Sequence, residues 1–136
     1  MDLYLIRHAP THRKSMVGWS DVDADFSDTD RFDALNAFLP QPANLVSSDL
    51  RRTVGTADRL ATGRQRLEHC PKLREINFGD WELKTFAEIQ ETHAEDIRHS
   101  TKRPGRLPPR MANAGTDFTN ACIQDLTDYC GTPKAR

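Results

Sequence analysis

The sequence predicts an α/β fold in which a mainly parallel sheet is flanked by helices. A continuous apolar run at residues 3–6 has the pattern of a strand buried on both faces, and residues 43–46 read as a short second strand. After each run comes a polar stretch and then a segment with apolar residues at helical spacing, the alternation that produces parallel strands. The chain has 136 residues, 37% hydrophobic and 29% charged, which suits one folded domain spanning 1–136.

Taken in order, Leu3-Tyr4-Leu5-Ile6 reads as the first strand, ending in Arg7-His8 and stopped at Pro10. Residues 11–26 read as a polar loop. Ser27 and Asp28 are placed to cap a helix with Phe32, Leu35 and Phe38 on one face, ended by Pro40. Residues 43–46 form the second strand, and Ser47-Ser48-Asp49 supply capping groups for the next helix. That helix aligns Leu50, Val54, Ala57 and Leu60, carries Gly55 in its interior, and ends by Gly63. A third extended stretch covers 66–73 and leads into a turn from Glu75 to Trp81. A helix begins near Thr85 with Phe86, Ile89 and Ile97 facing inward. Residues 100–115 read as a Pro/Arg-rich loop, in which the basic run Lys102 to Arg110 reads as a solvated loop, the alternative being recognition of a polyanionic substrate. From about Thr116, Phe118, Cys122, Ile123, Leu126 and Tyr129 take helical spacing.

Bulk properties exclude several classes of function. A net charge of −1 gives no global field to recruit nucleic acid or an anionic membrane. No apolar run is long enough to span a bilayer, and the start lacks a basic-then-apolar leader pattern, so a cytoplasmic protein is expected. Cys70, Cys122 and Cys130 form no metal-ligand cluster and no disulfide framework, which fits a reducing compartment. No metal and no other cofactor is expected.

In parallel sheets, ligands bind beyond the carboxyl ends of the strands. Arg7-His8, the segment 47–52 and Glu75 each follow an extended stretch and so converge on one edge. A neutral imidazole at His8 is a competent nucleophile toward phosphorus, and Arg7 beside it offers a fork of donors matched to phosphate oxygens. Arg52 lies in the first turn of a helix, where backbone N–H groups and dipole favour an anion. Arg51 and Arg52 point in different directions, so one can serve a pocket while the other is solvated. A departing alkoxide needs a proton, and Glu75 is the candidate donor. Asp80 and Glu82 read as ordinary turn residues. Taken singly, an Arg-His pair or a helix arginine is more often plain surface. Their order and position raise the interest.

Leu5-Ile6-Arg7-His8-Ala9-Pro10-Thr11 resembles the "RHG" signature of the histidine phosphatase superfamily, with Ala9 where the glycine stands. Ser48 to Ala57 resembles the second signature, a serine followed by leucine, arginine and a later Thr-Ala. Glu75, with Phe78-Gly79 and Trp81-Glu82, resembles the "E-x-x-F-G-x-W-E" segment of the phosphoglycerate-mutase-like branch. With Gly18-Trp19-Ser20-Asp21 downstream, the first motif is most similar to the α-ribazole phosphatase type. The resemblance covers about residues 2–90. It implies a phosphoglycerate-mutase-like fold and phosphomonoester hydrolysis of a small phosphorylated substrate. His8 would become a transient phosphohistidine, Arg7 and Arg52 would clamp the phosphate, Glu75 would protonate the leaving alcohol, and Thr11 would lie near the substrate.

One family element has no counterpart. The pocket of the family carries a second histidine, after a later apolar strand and before a glycine. None of His8, His12, His69, His93 and His99 stands in that setting, and His12 and His93 are weak substitutes. The C-terminal part is therefore expected to be shortened, with slower catalysis and an exposed strand edge that invites a homodimer. The alternative is a catalytically impaired phosphate-binding or interaction protein on the same fold. A mutase proper ranks last.

Overall fold

A computed structural model describes residues 2–92 and 94 of the chain. They fall into two compact units: residues 2–12 and 21–74 form the first, and residues 13–20, 75–92 and 94 belong to the second.

In the first unit, α1 (Thr29–Phe38) begins where expected. The Asp28 carboxylate accepts the Arg31 N–H at 3.2 Å, and the helix ends before Pro40, which has no N–H to continue it. Its apolar face is only partly covered, and Phe38 is 73% exposed. Strands β1 (Asn44–Leu45) and β2 (Gln65–Arg66) pair in parallel, Asn44 opposite Gln65 and Leu45 opposite Arg66. Between them runs α2 (Arg51–Arg59), so the expected strand–helix–strand crossover is present. Leu50, Ala57 and Leu60 form its buried apolar side. Gly55 is explained by close approach: a Cβ there would lie 2.5 Å from Cζ of Phe26. The Arg59 guanidinium lies over the same ring, 3.9 Å from its centroid.

Arg64 joins the C-terminal ends of both helices. Its guanidinium donates to the carbonyl of Asn36 in the last turn of α1, to those of Leu39 and Pro40 just after it, and to that of Leu60 after α2, at 2.7–3.0 Å. These are the carbonyls that a helix end leaves without an internal donor.

Three local expectations are corrected. Residues 3–6 form no strand, and Leu3 and Leu5 are 56% and 86% exposed. A strand exists only through its ladder, and no other strand among the described residues pairs with this run. Ser47, Ser48 and Asp49 do not cap α2, whose N-cap is Leu50. Asp21 takes that role from a distant loop, its carboxylate accepting the Arg51 N–H at 2.8 Å. The stretch after β2 is extended only at its start and turns into a short 3-10 segment at Pro71–Leu73.

The second unit packs Met16, Ile76 and Phe78 around buried Trp81 and Ile89. Ser15 bridges Thr85 in antiparallel sense, with Met16 donating to the Lys84 carbonyl at 2.9 Å. Helix α3 (Phe86–Thr92) starts at a reciprocal cap: Glu88 accepts the Thr85 N–H at 2.7 Å, and Thr85 accepts the Glu88 N–H at 3.4 Å. Ile89 faces inward as expected, but Phe86 is 61% exposed. Ile97, the loop 100–115 and the helix expected from Thr116 lie outside the described residues.

Glu82 is the organising group of this unit rather than an ordinary turn residue. Its carboxylate accepts backbone N–H groups from Gly18, Trp19, Ser20 and Phe78 at 2.8–3.2 Å, and the Ser20 hydroxyl as well. Burial pushes its pKa up, but the Ser20 hydroxyl and the three backbone donors of Phe78, Trp19 and Ser20 outweigh it and hold the pKa below 4.5. Gly18 is required for this contact, since a Cβ there would sit 1.9 Å from the Ile76 carbonyl oxygen.

Because the folded-state pKa is depressed, the contribution of Glu82 to stability is complete above its unfolded value of 4.5 and is lost as pH falls through the lower folded value. Glu82→Gln is expected to destabilise the protein by about 1–3 kcal/mol at neutral pH. It should also flatten the acid limb of a plot of melting temperature against pH. Identical pH profiles for the two proteins would contradict this assignment.

Candidate functional site

The site is built in the first unit from the turn after residue 8 and the first turns of α2. The Ala9 N–H donates to the Thr56 hydroxyl at 2.9 Å, and that hydroxyl donates to the Arg52 carbonyl at 2.8 Å. Thr56 lies one helical turn beyond Arg52, so a single hydroxyl fastens the residue after His8 to the turn of α2 that carries Arg52. Ala9, Thr56 and Arg52 are all buried, and Arg52 is only 1% exposed. A guanidinium stays charged at any working pH, so this is a fixed positive charge held away from bulk water.

His8 is half-buried, and its Nδ1 lies 2.7 Å from the Ala9 carbonyl oxygen. A carbonyl only accepts, so Nδ1 carries a proton, and in the neutral ring the lone pair is on Nε2. That is the tautomer needed if Nε2 attacks an electrophile.

The two arginines at the start of α2 divide as their sequence positions suggest. Arg51 is exposed and bound to carboxylates, its guanidinium 3.2 Å from Asp21 and 2.9 Å from Asp23. Arg52 points inward. Ser48 is buried and shares a 2.6 Å hydrogen bond with the Thr53 hydroxyl. Asp49 forms a two-point ion pair with Arg74, one bond of 2.7 Å, and that guanidinium lowers the Asp49 pKa.

The remaining expected residues are distributed as follows. Arg7 is exposed and Thr11 half-buried. Next to Thr11, His12 takes a left-handed backbone (φ 53°) and places its ring nitrogen 2.8 Å from Asp25, whose N–H donates to the Pro10 carbonyl at 2.7 Å. Hydrogen bonds from Ser27, then from His12, bring the Asp25 pKa down to about 2. Glu75 belongs to the second unit, with its side chain exposed and its carbonyl accepting the Trp19 indole N–H at 2.9 Å. His93 lies outside the described residues. Among the described residues no group of three His, Cys, Asp or Glu side chains is arranged to hold a metal ion, and no helix is long and apolar enough to cross a membrane.

The roles of Thr56, Asp21 and Glu82 were not anticipated from sequence. Thr56 stands in the Thr-Ala pair of the second motif, where its spacing of one turn from Arg52 was the available signal.

Residues 3–129 match the model of the histidine phosphatase superfamily (branch 1). The chain is 36% identical over 129 residues to glucosyl-3-phosphoglycerate phosphatase of Mycolicibacterium vanbaalenii, a match covering 89% of this chain and 56% of that protein. Among solved structures, YhfR of Bacillus stearothermophilus superimposes with a TM-score of 0.65 at 25% identity, over 92% of this chain and 66% of the other. A putative α-ribazole-5'-P phosphatase of Escherichia coli gives 0.68 at 19% identity, over 91% and 66%. Both carry the phosphoglycerate-mutase-like fold, and this chain spans about two-thirds or less of each relative's length.

Thr56→Val keeps the shape but removes the hydroxyl, leaving the buried Ala9 N–H without its acceptor. It is expected to cost about 1–3 kcal/mol in chemical denaturation, whereas Thr56→Ser should cost less. Equal stability of Thr56→Val and the parent would show that the bridge contributes nothing.

Proposed function

We propose that this chain, which belongs to the histidine phosphatase superfamily, hydrolyses phosphomonoesters through a covalent phosphohistidine on His8. The observation that carries this reading is the hydrogen-bond chain Ala9–Thr56–Arg52, which links the residue after His8 to a buried fixed cation. The tautomer set by the Ala9 carbonyl supports it independently.

In the first step His8 Nε2 bonds to phosphorus while the P–O bond to the alcohol breaks. Glu75 gives its proton to the departing oxygen. In the second step water attacks phosphorus, a water proton passes to the Glu75 carboxylate, the P–N bond breaks and inorganic phosphate leaves. Both groups return to their starting states. Arg52 and Arg7 would hold the phosphate oxygens and offset charge on the transferring group, and Thr11 would border the substrate. The assignment of Glu75 rests on its place in the E-x-x-F-G-x-W-E motif and on the need of an alkoxide for a proton. The substrate would be a small phosphorylated molecule. The glucosyl-3-phosphoglycerate phosphatase relative makes a phosphorylated sugar acid a reasonable first compound to assay.

A second reading, a phosphate-binding protein with little turnover, is favoured by one observation: Arg7, expected to clamp the phosphate, is exposed, whereas Arg52 is buried.

Phosphate release from p-nitrophenyl phosphate separates the two. His8→Ala should reduce it to background, and Arg52→Lys should lower kcat/KM by about a hundredfold through loss of the two-point fork. Equal rates for the parent and His8→Ala would overturn the enzymatic reading. Calorimetric binding of vanadate without turnover would establish the second.

A further inference from the structure

We propose that Trp19 is a positioning residue for the proton donor: its indole N–H fixes the main chain of Glu75 so that the exposed carboxyl is presented in one place. This rests on the proposed role of Glu75 and extends it to a residue outside the recognised motifs for catalysis.

The geometry lies wholly within the second unit. The Trp19 indole N–H donates to the Glu75 carbonyl at 2.9 Å. Indole is a donor only, so this bond has one sense and cannot be exchanged for another role. Trp19 is held in turn by its own backbone N–H, which donates to the Glu82 carboxylate at 2.8 Å, with Gly18 and Ser20 bound to the same group. The segment after Glu75 is fixed from the same side. The Ile76 carbonyl packs against Gly18, and the Phe78 N–H donates to Glu82 at 3.0 Å. A relay therefore runs from Glu82 through Trp19 to Glu75. The Glu75 backbone is pinned at its carbonyl while the side chain stays exposed. Trp19 itself is 44% exposed, so a large apolar ring is kept partly in water. The hydrogen bond to Glu75 holds the ring in that placement.

General-acid transfer depends steeply on where the acid sits, and a displacement on the order of 1 Å can cost about a hundredfold. The demand for the proton depends on the leaving group. An alkoxide requires it, whereas p-nitrophenolate is stable as an anion. A defect in placing Glu75 must therefore appear as a change in leaving-group preference.

The experiment measures kcat/KM for glycerol 1-phosphate and for p-nitrophenyl phosphate with the full chain, Trp19→Phe, Glu75→Gln and the double variant. Trp19→Phe keeps a ring and removes only the donor. The alkyl-to-aryl ratio is expected to fall about tenfold or more in Trp19→Phe and further in Glu75→Gln, with no additional fall in the double variant. Loss of folded protein lowers both substrates equally and leaves the ratio unchanged, so a purely structural role is distinguishable. Should Trp19→Phe be insoluble, Ser20→Ala loosens the same loop and should move the ratio in the same direction. A changed ratio in Glu75→Gln with an unchanged one in Trp19→Phe overturns the inference and leaves Glu75 as the donor. An unchanged ratio in Glu75→Gln overturns both.

Discussion

The hydroxyl of Thr56 is the constraint on which the candidate site depends. It accepts from Ala9 and donates to Arg52, and both partners are main-chain groups of buried residues. The described residues give the run 3–6 no strand neighbour, so a ladder does not fix the turn that follows. A side chain on α2 does so instead. Each bond of this type contributes only about 0.5–1.5 kcal/mol net, but leaving a buried N–H unmet costs more than making the bond gains. The turn is held in place mainly by that penalty.

Charge is arranged with the same economy. Around the start of α2, Arg51 pairs with Asp21 and Asp23, and Arg74 pairs with Asp49. Arg52 is the one carried inward. Surface ion pairs such as that of Arg51 add little stability. Their effect here is to direct the first arginine away, with Asp21 also closing the helix N-terminus through the Arg51 N–H. A positive charge buried beside a helix start is suited to a dianion that arrives from solution.

Much of this was legible from the residues. The crossover β1–α2–β2, the Asp28 cap of α1, the inward Leu50–Ala57–Leu60 stripe and the separation of Arg51 from Arg52 follow from local pattern and helical spacing. So does family membership, which three ordered motifs announce. What was not legible depends on partners distant in sequence. A continuous apolar run at 3–6 has strand propensity, but pairing requires a neighbour that local pattern does not reveal. Ser47-Ser48-Asp49 has the composition of a cap, yet Asp49 is drawn to Arg74 and the cap comes from Asp21, 30 residues away. Glu82 looked like any turn acid because its donors come chiefly from residues 18–20, across more than 60 positions of chain. Long-range satisfaction of polar groups leaves no periodic trace in a sequence.

The central claim is that the Ala9 carbonyl holds the His8 proton on Nδ1 so that Nε2 takes the phosphoryl group. The most direct measurement is nitrogen and phosphorus NMR of protein labelled with 15N in its histidine rings, before and after reaction with a phosphomonoester followed by alkaline quench. The account predicts an Nδ1-protonated ring in the resting protein and, after reaction, phosphorus coupled to Nε2 of His8. A resting proton on Nε2, phosphorus coupled to Nδ1, or a phosphorylated histidine other than His8 would contradict it.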